Sequence, residues 1–137
     1  MKTLLKIGVG AALLLSLIGC QVMGDERLIS QTLNDFEESL LAKDIDKIMT
    51  YYSDSYSDVQ GMNKVAPRQI LTGFKDSGGL DGLEISTDDA VVVINDDGTA
   101  TVGPMTIKSG QFNVTQTYTL VKEDGAWLFS TVDTIQN

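Results

Sequence analysis

The chain has 137 residues, 42% of them apolar and two of them proline, which fits a single globular domain. Nineteen acidic residues outnumber ten basic ones, and the net charge of −9 disfavours partners such as nucleic acid and anionic headgroups. With no histidine and one cysteine, the sequence excludes Ser-His-Asp and Cys-His nucleophile systems, His-containing zinc sites and an internal disulfide. We expect no metal and no cofactor, and composition alone identifies no activity.

The first residues have the charge and hydropathy pattern of a signal peptide. Lys2 and Lys6 form a positive start, and the uncharged, largely apolar stretch from Ile7 to Ile18 follows with twelve residues. A membrane-spanning helix needs about 20 apolar residues, so this stretch is too short to span and is typical of a secretory leader.

The end of this leader, Leu17-Ile18-Gly19-Cys20, resembles the bacterial lipobox. The resemblance implies that residues 1–19 are removed, that Cys20 is acylated, and that residues 20–24 form a short tether. The alternative is a plain secretory leader in which the cysteine is incidental. Acylation explains why a secreted chain carries an odd cysteine, and two or three acyl chains would hold the protein on a lipid bilayer.

The expected location is therefore the bacterial cell envelope, with a lipid anchor. Gln21 follows the cysteine where an Asp would resemble an inner-membrane retention signal. If the host is Gram-negative, we expect the periplasmic face of the outer membrane. Residues 21–24 reach at most about 14 Å, so the folded domain would lie close to the headgroups.

Three helices are predicted between residues 25 and 76. Asp44 has the residue type of an N-cap and is expected to begin the second helix, and Pro67 is expected at the first position of the third. Apolar residues recur with a period near 3.6 in each segment. They are Leu28, Ile29, Leu33, Phe36, Leu40 and Leu41 in the first helix, Ile45, Ile48, Met49 and Tyr52 in the second, and Ile70, Leu71 and Phe74 in the third.

After residue 80 the pattern changes to the alternation of β-strands. Strands are predicted for Ala90–Ile94, Thr99–Ile107, Phe112–Leu120 and Trp127–Ile135, separated by turns at 95–98, 109–110 and 123–125. Gly103-Pro104 inside the second strand indicates a bulge or an edge position. Helices followed by an antiparallel meander predict an α+β domain over residues 25–137.

Three stretches in this order are similar to the nuclear transport factor 2-like superfamily, which includes SnoaL-like and ketosteroid-isomerase-like proteins. They are the helix junction from Leu41 to Asp54, the segment Arg68–Phe74, and the hairpin Tyr118–Trp127. The resemblance covers about residues 26–135. It implies a cone-shaped, cystatin-like fold in which three N-terminal helices pack on a strongly bent antiparallel sheet and leave an apolar cavity at the wide end.

The resemblance implies no single reaction, because the superfamily holds enzymes, adaptors and binding domains. Side chains expected to line the cavity are Phe36, Tyr52, Tyr56 and Trp127; the alternative for Tyr52 and Trp127 is ordinary core packing. An isomerase of this kind needs a carboxylate base, for which Asp58 is the candidate, and an acidic donor, for which Tyr56 or Tyr52 is the candidate. The alternative for Asp58 is a solvated loop carboxylate.

Three functions are therefore open. The favoured one is a non-enzymatic envelope lipoprotein whose cone binds a small apolar ligand or an envelope protein. The second is a structural module that forms a homodimer through its sheet without a ligand. The third is a SnoaL- or isomerase-type enzyme on a hydrophobic substrate.

Overall fold

The computed structural model describes residues 24–137, so the predicted signal peptide, Cys20 and most of the tether lie outside the described residues. Residues 24–41 form helix α1. Helices α2 (Ile45–Met49) and α3 (Val65–Asp76) follow, and then strands β1 (Glu84–Ser86), β2 (Val91–Ile94), β3 (Ala100–Lys108), β4 (Asn113–Glu123) and β5 (Ala126–Gln136). This order of helices and antiparallel strands confirms the predicted α+β class. None of the described helices is long and apolar enough to cross a membrane.

Helix α1 buries one face at the predicted 3.6-residue period. Ile29, Leu33 and Phe36 are nearly inaccessible to solvent, whereas Leu28 and Leu41 are 44% and 51% exposed. The buried stripe is thus narrower than the sequence pattern indicated, because the two outermost leucines lie at its edges.

Helix α2 begins as predicted, with Asp44 as its N-cap: the Asp44 side chain accepts the backbone N–H of Lys47 at 3.2 Å. The helix is only five residues long. The prediction that Tyr52 belongs to it is wrong, because Tyr52 instead forms an isolated parallel bridge to Phe129 on β5.

Helix α3 begins two residues earlier than predicted, so that Pro67 is its third residue. The Asn63 side chain accepts the backbone N–H of Val65 at 3.0 Å and supports the first turn. Proline is tolerated there because the amides of the first turn have no acceptor within the helix.

The sheet has the order β1-β3-β4-β5, and β2 pairs with the first half of β3 beside β1. Strand β1 was not predicted, since its three residues carry too little alternation to be recognised. One bulge lies between Val102 and Met105, which confirms the irregularity predicted at Gly103-Pro104, and a second places an extra residue on β5 near Ser130. Bulges bend strands, so both contribute to curvature of the sheet around the helices.

The core lies between α1 and the inner face of the sheet. Phe36 is its centre, with ring centroids of Phe129 and Tyr118 at 4.9 and 5.7 Å in edge-to-face contact. Tyr118 stacks on Phe129 at 4.6 Å. These aromatic side chains fill one end of the space under the sheet, and the cavity described below lies at the other.

Candidate ligand-binding cavity

A cavity of about 430 Å³ lies between the C-terminal half of α1, helix α3 and one end of the sheet. That end is formed by the C-terminal residues of β3 and β5 and the N-terminal residues of β4. Its wall is predominantly apolar. The apolar lining residues are Phe36, Leu40, Val59, Met62, Ala66, Pro67, Ile70, Leu71, Phe74, Leu80, Leu83, Ile107, Phe112, Val114 and Val132. Val59, Met62 and Ile70 are exposed to solvent, so the cavity opens through an apolar rim.

The segment of residues 51–58, which contains the tyrosines of the cavity, lies along the edge of the sheet that β5 forms. Ser53 N–H donates to the Phe129 carbonyl at 2.9 Å, and Phe129 N–H donates to the Tyr51 carbonyl at 2.8 Å. Further along, Ser57 N–H donates to the Ser130 carbonyl at 3.1 Å. This backbone pairing fixes where Tyr52 and Tyr56 point.

Tyr52 and Tyr56 both line the cavity and contact each other, with ring centroids 5.0 Å apart at an interplanar angle of 79°. Both side chains are more than nine-tenths buried. Burial, with a smaller effect of the nearby Asp58 carboxylate, raises the pKa of Tyr56 to about 12. Burial also raises the pKa of Tyr52, so both phenols remain protonated hydrogen-bond donors at neutral pH.

Asp58 lines the same cavity and is half-buried. Its Oδ1 accepts the backbone N–H groups of Gln60 and Met62 at 2.8 and 2.9 Å, and its own N–H donates to the Met62 carbonyl. These bonds close the turn at 58–62 and use part of the acceptor capacity of the carboxylate. The candidate base is thus at the cavity but also holds its own loop together.

A pair of polar side chains on β4 and β5 interrupts the apolar wall. The Gln116 amide donates to Thr134 Oγ1 at 3.1 Å, and its Oε1 accepts the hydroxyl of Tyr118. Each end of this amide therefore has one partner within the wall. Nothing in the sequence marked Gln116 as part of a site.

Trp127 does not line the cavity with the other three predicted residues. Trp127 is buried near the N-terminal end of β5, as its second residue, and its indole N–H donates to Asp25 Oδ1 at 3.4 Å. Lys122 Nζ also contacts Asp25 at 3.0 Å. Trp127 therefore packs the end of the domain where α1 begins, because the closing hairpin folds back over that end.

Within residues 24–137, no group of three or more His, Cys, Asp or Glu side chains is arranged to hold a metal ion.

Superposition on solved structures identifies the fold. Part of Bd1075 from Bdellovibrio bacteriovorus superposes with a TM-score of 0.66 at 13% identity, covering 80% of this chain and 39% of that one. An NTF2-like protein of unknown function from Shewanella baltica gives a TM-score of 0.61 at 12% identity, covering 84% and 97%. The chain has the nuclear transport factor 2-like fold.

A candidate scytalone dehydratase from Novosphingobium aromaticivorans shares the nuclear transport factor 2-like fold, with a TM-score of 0.66 at 15% identity over 84% of this chain and 85% of that one. No protein-family profile matches the sequence, and no curated protein matches it. At these identities the similarity concerns the fold, and function has to be argued from the cavity.

Proposed function

We propose that the protein is a lipid-anchored envelope protein whose cavity binds a small apolar ligand without transforming it. The observation that carries the proposal is the open apolar cavity of about 430 Å³. Small-molecule sites have volumes of about 300–1,000 Å³, and protein interiors otherwise leave few voids larger than a water molecule.

Native mass spectrometry of the full-length protein, extracted gently from its own host, tests binding directly. We expect a reproducible adduct of small-molecule mass. Ala66→Phe places a ring in the cavity and should remove the adduct, whereas Gln69→Phe, on the exposed side of α3, should keep it. A clean apo mass for the unmodified protein contradicts the proposal, and the same spectrum reads whether the protein is a monomer or a homodimer.

The anchor requires a separate experiment because Cys20 lies outside the described residues. Cys20→Ser should abolish incorporation of a palmitate analogue and release the protein from the membrane fraction. Incorporation that persists in Cys20→Ser would exclude lipidation at this residue.

A second candidate function, an isomerase- or dehydratase-type enzyme, is favoured by one observation: Asp58, Tyr52 and Tyr56 line the same cavity. A carboxylate beside two neutral phenols could remove a proton next to a carbonyl group while the phenols stabilise the enolate oxygen. Exchange of that proton with D₂O, followed by NMR on the identified ligand, would reveal this chemistry. If the unmodified protein catalyses exchange, Asp58→Asn should abolish it, because the amide keeps an acceptor for the loop N–H groups but cannot act as the base. No exchange in the unmodified protein would contradict the enzyme function.

A further inference from the structure

Two hydroxyl groups in the cavity wall have no acceptor among residues 24–137. No hydrogen bond joins the hydroxyl of Tyr52 or Tyr56 to any described group, although Tyr118, which lies beside them in the core, donates to Gln116. Yet no fully buried side-chain N or O atom in this part of the chain lacks a partner. Both hydroxyls must therefore reach accessible space, and for these two side chains that space is the cavity they line.

The two phenols are held rigidly. The Tyr52 ring contacts Phe129 at 5.4 Å and Phe36 at 6.2 Å, both edge-to-face, in addition to the Tyr56 ring. Backbone hydrogen bonds to β5 fix the segment on both sides of Tyr52. Donors that are already ordered lose little conformational entropy when a ligand binds, so each hydrogen bond contributes more to affinity.

The charge of the cavity wall discriminates between ligands. Asp58 is the only lining residue with a formal charge, and no Lys or Arg lines the cavity in the described part of the chain. A carboxylate or phosphate ligand would be desolvated without a cationic partner, which is costly. Asp58 already accepts two backbone amides through Oδ1, so its charge is partly satisfied and gives a cation a weaker attraction.

We infer that the ligand is an uncharged apolar molecule bearing a hydrogen-bond acceptor, such as a ketone, ester or amide carbonyl, which the Tyr52 and Tyr56 hydroxyls receive. This inference rests on the proposed function and narrows its ligand class. It applies equally to a bound ligand and to a substrate.

Displacement of the neutral fluorescent probe N-phenyl-1-naphthylamine by four ten-carbon compounds tests the inference. Decan-2-one should displace the probe at lower concentration than decane, decanoate or decylammonium. Tyr52→Phe and Tyr56→Phe should each weaken decan-2-one about two- to tenfold, the range of one net hydrogen bond, and leave decane unchanged. Tyr51→Phe, a matched loss of a hydroxyl from a residue outside the cavity lining, should leave both unchanged.

The outcomes separate the two proposals. If the probe does not bind the full-length protein, the proposed function fails and this inference fails with it. If the probe binds but decan-2-one has no advantage over decane, or if decanoate or decylammonium displaces best, the cavity binds ligands and the inference about the acceptor is overturned. Retained decane binding in each variant shows that the variant is folded.

Discussion

The raised pKa of Tyr56 makes the stability of the fold depend on pH in the alkaline range. Its phenol has a pKa of about 12 in the folded protein, against 10.0 for an ordinary tyrosine, because burial penalises the phenolate. The folded state therefore retains this proton at pH values where the unfolded chain has lost it. The stability that Tyr56 contributes is complete below pH 10 and is lost as the pH rises from 10 to about 12.

We predict that unfolding becomes progressively easier over this alkaline range and that Tyr56→Phe reduces the effect. Urea unfolding at several pH values from 8 to 12, with tyrosine ionisation followed by absorbance, measures it. Tyr52 and Tyr118 also have raised pKa values, so some pH dependence should remain in the variant. An identical pH dependence in both proteins would show that Tyr56 ionises normally in the fold.

Phe36 contacts more aromatic rings than any other residue in the described part of the chain. Its ring makes edge-to-face contacts with four aromatic rings and is 2% exposed. Phe36→Ala should lower the free energy of unfolding by about 3–5 kcal/mol, since the rigid sheet and helix cannot close the space. Phe74→Ala provides the comparison, because Phe74 is only half-buried on α3, and an equal loss in both variants would contradict this account.

At the scale of elements, α3 is the least securely attached part of the cavity wall. It buries none of its residues fully. Half-buried side chains such as Leu71 and Phe74 pack it against the domain, and the Phe74 ring centroid lies 4.6 Å from that of Phe112. Two exposed ion pairs add to this, Arg68–Asp46 at 3.0 Å and Lys64–Asp54 at the N-cap. Exposed ion pairs contribute about 0–1 kcal/mol each, so α3 is expected to open more readily than the strands and to be the route by which a ligand enters.

A substitution at Gly73 tests the stability of α3. A Cβ at this position would meet no atom within 4 Å, and glycine in a helix costs about 0.5–1 kcal/mol relative to alanine. Gly73→Ala should therefore stabilise the protein by about that amount and slow amide exchange within α3. Gly98→Ala also enters open space but requires a positive φ of 86°, so it should destabilise; stabilisation by both would disprove the helical explanation.

The sequence predicted elements well where local signals and tertiary packing agree. The Asp44 cap, the bulge at 103–104 and the hairpin turns depend on residue chemistry that acts over a few positions. The limits of α2 and the place of Tyr52 could not be predicted, because pairing with Phe129 ends the helix. Such a contact links residues 77 positions apart and leaves no local pattern.

In the candidate site, too, residue types could be predicted from the sequence, whereas features that depend on long-range contacts could not. The sequence identified Phe36, Tyr52, Tyr56 and Asp58, which line the cavity, through their residue type and their place in the family pattern. It could not place Trp127, because the direction in which the closing hairpin folds depends on the whole sheet. Nor could it show that Tyr52 and Tyr56 have no acceptor among residues 24–137, since that depends on every neighbouring element.

For the whole molecule, the ends of α1 relate the cavity to the proposed membrane anchor. Asp25, at the N-terminal end of the described part of α1, contacts Lys122 and Trp127, whereas Leu40, near the C-terminal end of the helix, lines the cavity. At 1.5 Å per residue these two positions are about 22 Å apart along the helix axis. The part of the chain nearest Cys20 is therefore at the opposite end of the domain from the cavity.

If Cys20 is acylated, as proposed, the hairpin at 123–126 should face the bilayer and the cavity should open toward the aqueous side. A fluorophore on Ala126→Cys, in full-length lipoprotein reconstituted into vesicles, should be quenched strongly by nitroxide-labelled headgroups, and one on Gln60→Cys, at the cavity rim, only weakly. The acylated Cys20 is blocked and takes no label, and a Cys20→Ser control should show quenching at neither position. Because residue 24 already belongs to α1, only residues 21–23 separate Cys20 from the described part of the helix, and they reach at most about 11 Å, less than the length of α1. Stronger quenching at residue 60 would therefore mean that the domain lies on its side. The ligand would then enter directly from the anchoring membrane, whereas the predicted order requires exchange with the aqueous phase or with another carrier.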